Sequence, residues 1–401
     1  MTGGDGGPGT GPGRPGRPVL VVALVGLAAG ALWAGIWFGT SGAMPEGPGD
    51  PLVSSLYEPP SRPVEVVLNA RDGQVFATQA VDPLGLRSER IRGGPAEEAY
   101  RYQRPAYGWI GWAASGGRAG AVPWALVAVT VASVGALVGA LAWALARSGV
   151  APGWALVVLV LPGVTANLTF VGPESLGAAL AVLAVARARR TEGIPWDAVA
   201  LAAAAGLCRE TLLLVPAALA LVALARRRPA RAGALAASAL PYGVWVVALR
   251  VGIGAWPRGS VGGRLSPVPF GGLWDRAGEW TAADGAVIAS VLVLGGVGLA
   301  RAAEADLRAV LGVHMALAAV LGPAVWARPE DVGRVLLPLA VVGLWALLAA
   351  RARPAPVDPD GVPEGRERTF GRQLDDADRL APCPTLSSSV GPASTTSGVS
   401  T

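Results

Sequence analysis

Between positions 122 and 350 one apolar run follows another with only short, arginine-bearing breaks: about 122–146, 152–170, 174–188, 196–207, 211–225, 233–252, 285–300, 307–326 and 334–350. An earlier run covers Pro18 to Phe38. A helix of about 20 apolar residues spans the ~30 Å hydrocarbon core of a bilayer, and water is a poor solvent for so many such runs in one chain. The pattern predicts an all-α, polytopic transmembrane helix bundle of about ten membrane helices, some of them short or re-entrant. Composition agrees, with 52% hydrophobic residues, 15% charged residues and a mean hydropathy of +0.47.

The breaks carry the orientation, because Arg and Lys in short loops are retained on the cytoplasmic side. Arg14 with Arg17, Arg147, Arg187 with Arg189 and Arg190, Arg226 to Arg228 with Arg231, Arg301 with Arg308, and Arg351 with Arg353 occupy alternate breaks. Both termini are then expected in the cytoplasm. The stretch between Arg190 and Arg226 is basic at both ends, which requires an even number of passes. Two short helices meeting at Arg209-Glu210-Thr211 satisfy this, and ends that meet within the bilayer must line a cavity, since free backbone groups cannot face lipid. These arginines also account for the net charge of +5. No aromatic and basic stacking platform accompanies them, so the expected surroundings are membrane lipid and not nucleic acid.

The domain organisation follows. Residues 1–17 and 351–401 have the Gly/Pro-rich or Ser/Thr-rich composition of disordered tails, and both are expected in the cytoplasm. Residues 18–350 form the membrane domain. Pro18 to Phe38 reads as a retained anchor in place of a cleaved signal peptide, because no persuasive small-residue cleavage site follows. The longest polar interruption, 39–121, is a long first outer loop. Cys208 in an apolar run and Cys383 in a polar tail form no disulfide or metal pattern, and His314 reads as a packed side chain. No tight carboxylate cluster calls for a metal, so neither a metal nor another cofactor is expected.

Polar clusters collect on the outer side. The first loop contains Arg71-Asp72-Gly73-Gln74-Val75-Phe76 and then Ala80-Val81-Asp82-Pro83. Asp72-Gly73 is also a turn dipeptide, for which a solvated carboxylate is the plain reading. Further on lies Tyr100-Arg101-Tyr102-Gln103-Arg104-Pro105. On one helix Arg101 and Arg104 share a face suited to a phosphate, although an interfacial aromatic belt has the same composition. Glu174, Arg209-Glu210 and Arg334 fall on the same side. An ionisable group at membrane depth costs about 2.5–3.5 kcal/mol, so Arg209 and Glu210 need a partner or water, which a structural ion pair and a functional site supply equally well.

Taken in order, these features resemble the bacterial multipass glycosyltransferases of the GT-C type. They comprise one N-terminal helix, a long outer loop with Asp-Gly-Gln and Asp-Pro, Tyr-Arg-Tyr-Gln-Arg-Pro-x-Tyr, an outer Glu, an Arg-Glu-Thr tip and a late Arg-x-Leu-Leu-Pro. The resemblance spans roughly residues 18–350 and is to the branch linked to cell-surface glycopolymer formation, distantly similar to mannosyltransferases. It implies a carboxylate in the first outer loop acting as general base, Asp72 first and Asp82 as the lesser candidate. It also implies a polyprenyl-phosphate-linked sugar donor and a glycan or lipid-linked acceptor at the outer face of the cytoplasmic membrane. Arg101, Arg104, Arg209 and Arg334 would then meet phosphate, Glu174 and Glu210 would orient those arginines or bind sugar hydroxyls, and Gln74 and Tyr102 would add substrate contacts. Two other readings of the chain are a transporter or flippase for a lipid-linked glycan and a non-catalytic envelope-assembly protein. A transporter calls for an internal repeat or a charged midplane path, and the sequence displays neither.

Overall fold

A computed structural model of the chain describes residues 16–41, 62, 64–65, 68, 72–85, 94–257 and 265–352. The two expected tails therefore lie almost wholly outside the described residues. Where they are described the domain edges move outward: Gly16 and Arg17 begin the helix Gly16–Ser41, and Arg351 ends the helix Leu337–Arg351. Among the described residues the fold is all-helical, apart from one antiparallel bridge between Leu265 and Leu321.

Four helices are long and apolar enough to cross a membrane: Gly16–Thr40, Ala119–Arg147, Pro229–Gly252 and Ala282–Arg301. Two bent pairs raise this to six if each is one span, Pro152–Val160 with Pro162–Phe170 at 62° and Pro329–Val335 with Leu337–Arg351 at 64°. Both bends sit beside a proline, Pro162 and Pro338, which cannot donate to the helical ladder. The other expected crossings form shorter helices, among them Glu174–Ala188 of 15 residues, Trp196–Cys208 of 13 and Ala305–Val320 of 16. At ~1.5 Å per residue these cover only about 20–24 Å.

The apolar helices mark a membrane protein, and the distribution of side chains fits. Leu20, Leu32, Ile36, Val160, Val244 and Val251 are exposed, Val251 at 80%. Leu337–Arg351, by contrast, is buried on nearly every side. Since lipid is as apolar as leucine, helices here associate through close backbone contact and not by expelling water. Gly26 accordingly faces Val138, and Gly135 faces Leu27, where any added Cβ would lie 2.8 and 3.0 Å from the neighbour's nearest atom.

One such contact positions the polar residues described below. Gly163 and Gly333 press the backbones of Pro162–Phe170 and Pro329–Val335 together, so that a Cβ on Gly163 would fall 2.2 Å from the Gly333 carbonyl oxygen. Arg334 is thereby held beside Phe170, its guanidinium 5.0 Å from the ring centre. Gly163→Val is expected to cost about 1–3 kcal/mol of stability through overpacking, read as an earlier thermal unfolding of the detergent-solubilised protein. An unchanged transition would mean that the two segments separate freely.

The described part of the first loop is a packed helical layer. Helices Gly73–Val81 and Pro105–Ser115 pack on each other and on the start of Val122–Arg147, and Pro95–Tyr102 packs on Gly73–Val81. Phe76 meets Tyr107 edge to face at 5.1 Å. The Tyr107 hydroxyl donates to the Leu126 carbonyl at 3.0 Å, and the Trp109 indole donates to the Pro83 carbonyl at 2.8 Å.

Candidate active site

The geometry is best built outward from Glu174. Val171, with φ of 54°, turns the chain out of Pro162–Phe170, and the Glu174 amide donates to Asn167 Oδ1 at 2.9 Å as the next helix begins. A Cβ at position 172 would lie 2.3 Å from Glu174 Oε2, so any residue but glycine there displaces the carboxylate. The carboxylate is buried, and its Oε1 accepts from Arg209 Nη1 at 2.5 Å and from Arg334 Nε and Nη2 at 3.0 and 2.8 Å. Two guanidiniums from separate elements thus share one carboxylate.

Arg334 reaches further. Its Nη2 lies 2.8 Å from Asp72 Oδ2, and Asp331 flanks its other side at 3.8 Å. Asp72 stands at the N-cap of Gly73–Val81 without capping it, since its side chain is turned to the arginines instead. Arg101, held by Glu97 Oε1 at 2.8 Å, approaches Asp72 Oδ1 at 3.8 Å. The protein crowded around Asp72 works against its ionisation, although the side chain is partly open to the cavity it lines, but Arg334 and then Arg101 outweigh this and hold the carboxyl at about 2, below its usual 3.8.

The third pair is Arg104 with Glu210. Arg104 Nε and Nη2 donate to the two carboxylate oxygens of Glu210, both at 2.7 Å, in the bidentate fork that fixes a guanidinium most firmly. The helix Trp196–Cys208 ends at Arg209, whose backbone is extended (φ −158°, ψ 125°), and a 3-10 turn, Glu210–Leu213, follows. The break expected at Arg209-Glu210-Thr211 is there. Arg101 and Arg104 do not share a helix as expected: Pro95–Tyr102 stops short of Pro105, and Arg104 caps the next helix. Both nevertheless face the same space.

That space is a cavity of about 390 Å³, within the range of small-ligand sites. Its lining combines the charged side chains of Asp72, Arg101, Arg104, Arg209, Glu210 and Arg334 with apolar ones, among them Val75, Phe76, Leu317, Leu321 and Val325. No family model, curated protein or solved structure matches the chain. Inferences about the cavity therefore start from its own chemistry.

Most of its guanidiniums are already engaged by carboxylates. Arg209 is the exception in part, since its Nε is buried without a hydrogen-bond partner, as is the hydroxyl of Thr211 beside it. A buried unpaired donor costs about 1–3 kcal/mol, so this corner of the site is polar without being fully hydrogen-bonded. Thr211, Tyr100 and Asp331 also line the cavity, although the sequence reading leaves them out of the site. Asp331 could have been found by its i, i+3 spacing to Arg334.

Four candidates do not line the cavity: Glu174, which stands behind Arg209 and Arg334, and Asp82, Tyr102 and Gln74. Asp82 is buried at the far end of Gly73–Val81, where, after burial itself, it helps push Glu98 up to about 7. Tyr102 is buried against Trp245 and Leu249, and its carbonyl accepts from the Trp245 indole at 2.8 Å. Gln74 is buried and does not line the cavity wall. Among the described residues no group of three His, Cys, Asp or Glu side chains is placed to hold a metal.

Proposed function

We propose that the chain is a GT-C-like glycosyltransferase that takes a sugar from a polyprenyl-phosphate-linked donor at the outer face of the cytoplasmic membrane and passes it to an envelope glycan or lipid-linked acceptor. The observation that carries this reading is the ionised Asp72 carboxylate beside Arg334, in a cavity lined by guanidiniums together with apolar side chains. A substrate with a phosphate head and a hydrocarbon chain calls for both kinds of group.

The step is a displacement at the anomeric carbon. The acceptor hydroxyl oxygen forms the new bond to that carbon, the bond from carbon to phosphate oxygen breaks, and its electron pair leaves with the phosphate. Arg209 and Thr211 supply donors to that oxyanion, with Arg101, Arg104 and Arg334 adding positive field. Asp72 takes the hydroxyl proton. Glu174 touches no reacting atom and serves to set Arg209 and Arg334.

The test is reconstitution of the full chain in proteoliposomes with a labelled polyprenyl-phosphate sugar and an acceptor glycan. Label in covalent linkage to the acceptor supports transfer. Label that crosses the bilayer still attached to its lipid would replace this reading with transport.

The accompanying topology has ten crossings, the short helices included, with both termini cytoplasmic. In a background with Cys208 and Cys383 changed to Ser, Leu84→Cys is expected to react with an impermeant thiol reagent in intact cells and Arg228→Cys is not. Both positions are exposed, so side-chain access does not decide the outcome. Reaction at 228 and not at 84 would invert the map.

A further inference from the structure

A second cavity, of about 520 Å³, lies at the other end of the same helices and plays no part in the proposed transfer. The helix Glu174–Ala188 connects the two places, with Glu174 at its start and Arg189, which lines the second cavity, as its C-cap. Its 15 residues separate them by about 22 Å at ~1.5 Å per residue.

The second cavity is basic and aromatic. Arg147, Arg189, Arg190 and Arg226 line it, opposed by the carboxylates of Glu304 and Asp306. Arg189 pairs with Glu304, and Arg226 lies 3.4 Å from Asp306. Among the described residues Arg147 and Arg190 have no carboxylate at ion-pair distance. Both guanidiniums instead lie over the Trp143 ring, 5.6 and 5.8 Å from its centre, and Arg189 lies over Trp345 at 4.8 Å. Stacking on an aromatic face orients a guanidinium without neutralising it and leaves its N–H edge free to donate. Two oriented, uncompensated guanidiniums beside one cavity match a group that presents several oxygens on one centre.

We propose that this cavity binds a phosphate group, carried by an anionic phospholipid headgroup or present as free phosphate. The tryptophan walls favour a site at headgroup depth, where indole rings partition. The full-length protein in detergent is titrated separately with short-chain phosphatidylglycerol, short-chain phosphatidylcholine and inorganic phosphate, and the bound species are counted by native mass spectrometry.

The expected result is binding of the anionic lipid at least about fivefold tighter than the zwitterionic one. That preference should vanish in Arg147→Gln/Arg190→Gln and persist in Arg301→Gln, which removes an exposed arginine outside the cavity. Inorganic phosphate binding with the same dependence on Arg147 and Arg190, and no lipid preference, would assign the site to free phosphate. Binding insensitive to the double variant, or weakened equally by Arg301→Gln, overturns the proposal. Thermal unfolding of each variant separates a lost site from a lost fold.

Discussion

Asp72→Asn is expected to lower sugar transfer by about 10²- to 10⁴-fold while leaving expression, membrane insertion and thermal stability close to wild type. Asparagine keeps the size of the side chain and an oxygen for Arg334 to donate to, but it cannot take a proton. The small effect on stability follows from exposure. The Asp72 side chain is 41% exposed, and ion pairs that water can reach contribute only about 0–1 kcal/mol. Its pKa of about 2 fixes the pH behaviour. The value is depressed, so the ionised form and its ion pair are fully present above the usual 3.8 and are lost only as pH falls through about 2. No acid limb belonging to Asp72 is therefore expected between pH 5 and 8. So acidic a conjugate acid makes a weak base. Wild-type transfer by the asparagine variant would remove Asp72 from the chemistry.

Glu174→Gln is expected to act in the opposite sense, on the fold before the rate. Glu174 Oε1 is the shared acceptor of Arg209 and Arg334, and all three side chains are buried. The amide leaves Arg209 without its carboxylate, while Arg334 keeps Asp72 and Asp331, and breaking a buried pair from one side costs about 3–5 kcal/mol. A clear fall in the thermal unfolding midpoint in detergent, with loss of expression in the membrane, is the outcome to look for. Double variants separate this role from chemistry. Glu174→Gln combined with Arg209→Met removes one unpaired charge and should recover part of the stability without restoring transfer. A Glu174→Gln protein as stable as wild type would show that water reaches the node and screens it.

Several features were legible along the chain because each depends on a local run of residues. The first helix and the helix from Val122 to Arg147 follow from run length and apolarity alone. The break at Arg209 follows from two charges inside an apolar run flanked by arginines, a pattern that one straight membrane helix cannot accommodate. Other features were hidden. The separation of Arg101 and Arg104 onto two elements turns on Pro105, whose ring restricts the residue before it. Tyr102 has the same composition signal as Tyr100, yet one packs against Trp245 and the other lines the cavity. The two are only two positions apart, which turns them to different faces of the helix, and no pattern in the loop reveals which face will be covered.

The physical class of this protein was written in its local chemistry. Apolar runs of membrane length can hide their backbone only as helices. Which charges meet depended on the way the chain folds back on itself. Glu174 and Arg334 are 160 positions apart and touch because Gly163 and Gly333 let two backbones close to contact. Carboxylates and guanidiniums at such separations have no periodicity to announce them. They find one another because a buried charge left alone costs several kcal/mol, and that cost is imposed by packing in three dimensions and by nothing in the order of residues.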